Sequence, residues 1–166
     1  MMKITETRQL FQGLCEKMNV ELICPVEVNA RLTRTLGRVK YDYNVYEGTY
    51  VPCAVEFSKK HLEQAPDEEI RDTITHEFVH YYLTITDPKV RHGHDAVFKE
   101  YCLKLGCAPR AKSTMEVDYT KDKYTLYCSE CGKPIGSRAR ACKVTKYPEM
   151  YRSTCCHAPL RIVQNW

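Results

Sequence analysis

The stretch "IRDTITHEFVHYYLTIT" sets His76 and His80 four residues apart inside an apolar-periodic run. Four residues is close to one turn of α-helix, so a helical run would project the two imidazoles side by side, where they can share one metal ion. The flanks argue for a helix independently. Pro66 followed by Asp67, Glu68 and Glu69 suits a first turn, since proline's missing N–H is not needed there and acids face the positive end of the helix dipole. The helix is expected to run to about Thr84, with Asp87-Pro88 ending it and Ile70, Ile74, Phe78 and Tyr81 as its core stripe. Glu77, beside the first histidine, is placed to reach a water at the metal rather than the metal itself. The chemistry implied is metal-assisted hydrolysis of a peptide bond, with zinc as the ion and Glu77 as general base.

A catalytic zinc takes three protein ligands, and the spacing leaves the third open. A histidine at position 86 would continue one known pattern, but that residue is Thr86, which excludes that class. Glu100 lies twenty residues after His80, His94 fourteen after it, and His92 stands two before His94. On one helix His94 and Glu100 would be about 240° apart, so both cannot easily face one ion.

Around this centre the chain reads as α+β. An amphipathic helix is expected from about Thr5 to Asn19 through Leu10, Phe11, Leu14, Cys15 and Met18. Alternation at Val26, Val28 and Ala30, at Val39, Tyr41, Tyr43 and Val45, and at Cys53, Val55 and Phe57 predicts a small, mainly antiparallel sheet. Turns are expected at Leu36-Gly37 and Glu47-Gly48. A further helix should begin near His94 or Asp95 and end at Gly106. Residues 1–110 form the first domain of this reading, a polar stretch at 111–122 is the linker, and a Cys-rich segment without helical pattern fills 123–166.

The formal net charge of +4 is uneven: residues 132–166 carry seven basic residues against Glu149 alone. That asymmetry points to a polyanionic partner. No signal-like leader or bilayer-length apolar run is apparent, so a soluble, cytoplasmic protein is expected, at the nucleoid or nucleus if it associates with DNA, with no membrane partner. Ten cysteines are then thiols for metal or core, not disulfides. Cys15, Cys24, Cys53, Cys102 and Cys107 read as small buried hydrophobes, whereas Cys128 and Cys131, followed by Gly132, form half of a zinc knuckle.

"TLGR", "VEFSKKHLEQAPDEEIRDTITHEFVHYYL" and "GHDAVF", followed by a CxxC tail, resemble the SprT-like zinc metalloprotease family of Spartan type from about residue 20 to the end. The resemblance implies a zincin-like domain with the HExxH helix central, followed by a small β zinc ribbon. It implies catalytic zinc on His76, His80 and His94, with Phe98 as the accompanying aromatic and Glu77 as base; His92 is then a loop histidine and Glu100 a surface acid. It also implies a second CxxC, which the internal likeness of "CSECGKPI" to "STCCHAPL" places at residues 153–156, where Ser153 replaces one cysteine. Cys156 keeps its place. The fourth ligand of this structural zinc is then Cys142, Cys155 or His157, with Cys142 preferred because neighbouring side chains in a tight turn point apart.

The function implied is proteolysis of DNA-bound or DNA-crosslinked proteins in DNA repair. The partners implied are protein substrates and single-stranded or damaged DNA, the DNA held by the basic ribbon with Tyr124, Tyr127, Tyr147, Tyr151 and Trp166. Two other readings stand beside it: a nucleic-acid-binding or regulatory protein with a structural or inactive histidine site, and a protease with one dedicated protein partner and no DNA.

Overall fold

The computed structural model describes residues 4–110, 114 and 119–166. The chain divides into two compact units, Met1–Met115 and Glu116–Trp166.

The first unit opens with helix α1 (Ile4–Lys17), which buries Phe11 and Cys15. Strands β1 (Val26–Asn29), β2 (Gly37–Asn44) and β3 (Thr49–Ser58) form one sheet in the order β1-β3-β2. The expectation of a small antiparallel sheet needs correction: β2 pairs antiparallel with β3, but β1 runs parallel to it, with Val26 opposite Val55 and Val28 opposite Phe57. Alternation reports which residues share a face and is silent on strand direction. The residues joining β1 to β2 carry the chain past β3, and that passage sets the parallel pairing. Gly37 does not sit in a turn as expected; it is the first residue of β2, opposite Phe57. The β2–β3 register shifts after Lys40, leaving Cys53 as the extra residue beside Pro52, which has no N–H to give to the ladder.

Ser58 ends β3 and caps a short helix unforeseen from the sequence, α2 (Lys59–Gln64); its hydroxyl accepts from the His61 N–H and donates to the Leu32 carbonyl. Helix α3 (Asp67–Thr86) starts after Pro66 with three acids in its first turn, and runs two residues beyond its expected end. Helix α4 (Ala96–Leu105) is capped by the Asp95 carboxylate, which accepts from the Phe98 N–H at 2.9 Å, and ends at Gly106 in the left-handed region (φ 76°).

The central position of α3 follows from its two buried faces. Ile70, Ile74, Phe78 and Tyr81 join Phe11, Val55 and Phe57 in the main core, where the Phe11 ring meets Phe78 and Tyr81 edge-on at 5.5 and 5.4 Å. The Tyr81 hydroxyl donates to the Glu21 carbonyl and accepts from the Ile23 N–H, so its polar end is satisfied at the core's edge. Val79 and Leu83 face Phe98, Cys102 and Cys107 in a second cluster. Cys15, Cys24, Cys102 and Cys107 are buried as expected, while Cys53 is half-buried; burial raises the Cys15 and Cys24 thiols to about 11.

In the second unit β4 (Tyr124–Cys128), β5 (Pro134–Arg138) and β6 (Leu160–Gln164) form an antiparallel sheet in the order β5-β4-β6. The segment between β5 and β6 was expected to lack helix. It contains the short helix α5 (Lys143–Lys146) and a 3₁₀ turn over Pro148–Met150. Of the expected linker at 111–122, only Thr114 and residues 119–122 lie among the described residues; Tyr119–Lys121 is a 3₁₀ turn. Among the described residues, no helix is long and apolar enough to cross a membrane.

Candidate functional site

One face of α3 presents His76, Glu77 and His80 to a cleft of about 570 Å³, whose opposite wall is β2 from Gly37 to Tyr41. His94 enters from the loop immediately before the Asp95 cap, so it stands outside α4 and not on its first turn. Its Nε2 lies 3.2 Å from Nε2 of His76 and 3.2 Å from Nε2 of His80. Glu100, by contrast, is exposed on α4 and belongs to no metal-spaced cluster among the described residues. Phe98 packs beneath the triad, stacked on His80 at 4.1 Å and edge-on to His76 at 5.0 Å.

The far ring nitrogen of His76 is held by backbone. Nδ1 of His76 bonds the Ala108 carbonyl at 3.0 Å, and the Ala108 N–H in turn donates to Asp72 at 2.8 Å. With the outer nitrogen of His76 donating to a carbonyl, its inner Nε2 keeps a lone pair aimed at His94. Burial pulls His80 down to about 3, helped by His76 and His94, and burial likewise lowers His76, so both are neutral imidazoles. These donors fit zinc: tetrahedral Zn–N bonds of about 2.0–2.1 Å place neighbouring nitrogens about 3.3 Å apart, close to the spacing seen here.

Glu77 is buried, and burial raises its carboxyl to about 8. Its position depends on Gly37: a Cβ added there would come within 2.7 Å of Glu77 Cγ and 3.1 Å of the Phe57 ring. His92 lines the same cleft and bridges Asp95 (2.8 Å) and Asp87 (3.1 Å). Burial opposes its charge, but the two carboxylates outweigh that and raise its pKa. His92 therefore braces the loop that delivers His94.

In the second unit the Sγ atoms of Cys128, Cys131, Cys155 and Cys156 all lie within 4.8 Å of one another. Cys131 and Cys155 are 3.6 Å apart, near the roughly 3.8 Å edge of a tetrahedron with Zn–S bonds of about 2.3 Å. Cys142 is not among them. It is the N-cap residue of α5, where its backbone N–H donates to Thr145 Oγ1, so the preference for Cys142 gives way to Cys155.

The reason lies in the backbone of the two loops. Gly132 N–H donates to the Cys128 carbonyl and Cys128 N–H to the Lys133 carbonyl; His157 N–H donates to Ser153 and Ser153 N–H to Ala158 in the same pattern. Gly132 and His157 both have positive φ, 69° and 53°. The buried Ser153 thus occupies the place of Cys128, its Oγ accepting from the Ala158 N–H, while Cys155 supplies the sulfur one residue before Cys156.

Sequence reasoning missed Gly37 as a packing partner of Glu77, the Ala108 carbonyl as a partner of His76, and the hydrogen bond by which Ser153 fills its loop. "TLGR" contained the first signal, but a glycine there reads equally well as a turn.

Three imidazole nitrogens beside a buried carboxyl define a class, that of three-histidine metal sites with an adjoining acid. The chain belongs to the SprT-like family, which it matches over residues 6–119. A SprT-like protein of Oceanobacillus iheyensis is 31% identical over 153 residues, covering 88% of this chain and 92% of that protein. One from Geobacillus kaustophilus is 35% identical over 97 residues, 56% of this chain and 62% of its own length. The human DNA-dependent metalloprotease SPRTN is 27% identical over 133 residues, 78% of this chain but 25% of that protein.

Proposed function

We propose that the first unit is a zincin-like zinc metalloprotease domain and the second a zinc ribbon, acting together on DNA-bound or DNA-crosslinked protein in an intracellular compartment. The observation that carries the reading is the approach of His94 to both helix histidines at 3.2 Å, beside Glu77, in a chain of this family. His76, His80 and His94 would hold the catalytic ion. When bound, zinc supplies Lewis acidity that polarises a substrate carbonyl and acidifies water. A cation at the histidines would counter the effect of burial and favour the ionised form of Glu77, which would then take the proton from the attacking water and return it to the leaving amine; its burial against Gly37 keeps the carboxyl from swinging away. β2 is an edge strand beside the cleft, so an extended substrate segment can pair with its free backbone and lie across the histidines.

Cys128, Cys131, Cys155 and Cys156 would hold the structural zinc. For DNA, the second unit offers nine basic residues against five acidic ones, with Tyr147, Tyr151 and Trp166 exposed. Cations bind phosphates and exposed rings stack on bases. The name of the human relative supports a role for DNA.

Glu77→Gln tests the mechanism. Zinc content is expected to stay at the wild-type level while cleavage of a DNA-bound protein falls by about 10² or more, the scale of a lost general base. Cleavage surviving the substitution would refute the role of Glu77.

A further inference from the structure

The cleft is lined by four arginines, Arg34, Arg38, Arg91 and Arg110, and by one carboxylate, Glu77. This excess is not inherited from the first unit as a whole, where residues 1–115 hold sixteen basic and sixteen acidic side chains. Arg38 is engaged by Glu56 at 2.7 Å. Arg91 and Arg110 are exposed, and no carboxylate pairs with either among the described residues. Each is close in sequence to a different candidate ligand: Arg91 precedes His94 by three residues, and Arg110 follows by two the Ala108 whose carbonyl holds His76. Two guanidiniums without acidic partners therefore line one substrate-sized groove.

We propose that Arg91 and Arg110 are specificity-determining residues that select substrate segments carrying aspartate or glutamate side chains beside the bond brought to the histidine site. The proposal rests on the proteolytic reading and names its substrate chemistry. A guanidinium offers a planar pair of N–H donors that matches a carboxylate, and stays charged at any physiological pH. A lysine or arginine in the same substrate position would meet like charge. Being exposed, each pairing is worth up to about fivefold in binding at low ionic strength, and less as salt screens it.

The test uses the zinc-loaded full chain and three peptides that differ only in carrying Glu, Gln or Lys on both sides of one cleavable bond. The expected order of kcat/KM is Glu, Gln, Lys, with a Glu-to-Gln ratio of about ten at low salt that shrinks toward one at 0.5 M salt and is carried by KM. Arg91→Gln/Arg110→Gln should collapse the ratio, Arg91→Lys/Arg110→Lys should keep part of it, and Lys99→Gln on α4 should leave it intact. Zinc content and thermal melting establish that the variants are folded. A ratio near one in the wild type, or one that persists in the double glutamine variant, overturns the proposal. So does a double variant that keeps the ratio and instead loses affinity for single-stranded oligonucleotide, since the arginines would then serve phosphates. If no peptide is cleaved, with or without DNA, the proteolytic reading fails separately, and fluorescence anisotropy of the same peptides decides the charge question. Tighter binding of the Glu peptide, lost in the double glutamine variant, supports acid recognition; equal binding of all three overturns it.

Discussion

Gly37 and His61 show how single residues support the site and the fold. Gly37→Ala introduces a methyl at 2.7 Å from Glu77 Cγ and 3.1 Å from Phe57, neither of which can retreat freely from the core. Overpacking of this kind costs about 1–3 kcal/mol, and here it would also turn the Glu77 carboxyl. The expected outcome is a lower melting temperature and weakened cleavage with zinc content unchanged. His61 is 0% exposed, with Nε2 3.0 Å from Thr73 Oγ1 and Nδ1 without a hydrogen-bond partner among the described residues. Burial holds its pKa below 6.5, and Glu69 only partly offsets that. The unfolded chain therefore binds more protons than the folded one as pH falls. This contribution to stability is complete above about 6.5 and is lost progressively below it. Urea unfolding at pH 7.5 and 5.5 should show a lower midpoint at the acidic pH, and His61→Gln should reduce that difference.

At the level of elements, the loop from Asp87 to Asp95 has to place one histidine, and two carboxylates stiffen it through His92. Asp95 caps α4 and holds His92 at once. Asp95→Ala should cost about 0.5–2 kcal/mol as a lost cap, and should weaken zinc binding at His76, His80 and His94, read as a higher zinc dissociation constant by competition with a chelator. Asp95→Asn, which can still cap, should retain more of the stability than of the zinc affinity. Elements with strong local signals were legible in advance. Pro66 and its acids marked the start of α3, Gly106 marked the end of α4, and the spacing of His76 and His80 located two of the three clustered histidines. What escaped left no periodic signal in the sequence. The parallel pairing of β1 depends on how the chain passes β3, α2 is too short to show a period, and the choice of Cys155 over Cys142 depends on a turn in which two successive sulfurs face one point.

For the molecule as a whole, the two units are expected to depend differently on metal. The first has an extensive core around Phe11, Phe57, Phe78 and Tyr81, whereas the buried apolar residues of the second are Leu126, Cys128 and Val144 among the described residues. A core that small is expected to rely on an ion held by the four clustered cysteines. Prolonged chelation is expected to release two zincs per chain, expose the second unit to trypsin at its basic residues, and leave the first unit resistant. Cys155→Ser should reproduce the loss of the second unit, while Cys142→Ser should cost no more than a helix cap; metal analysis and limited proteolysis separate the two. The matched backbones of the Cys128 and Ser153 loops carry a consequence for descent. If the second loop once held cysteine where Ser153 stands, a chain gaining Cys155 first would have passed through a five-thiol ancestor. Drift could then have discarded the older sulfur without any generation losing its fourth ligand, so that the ribbon moved its anchorage by two residues along a path with no unfolded step.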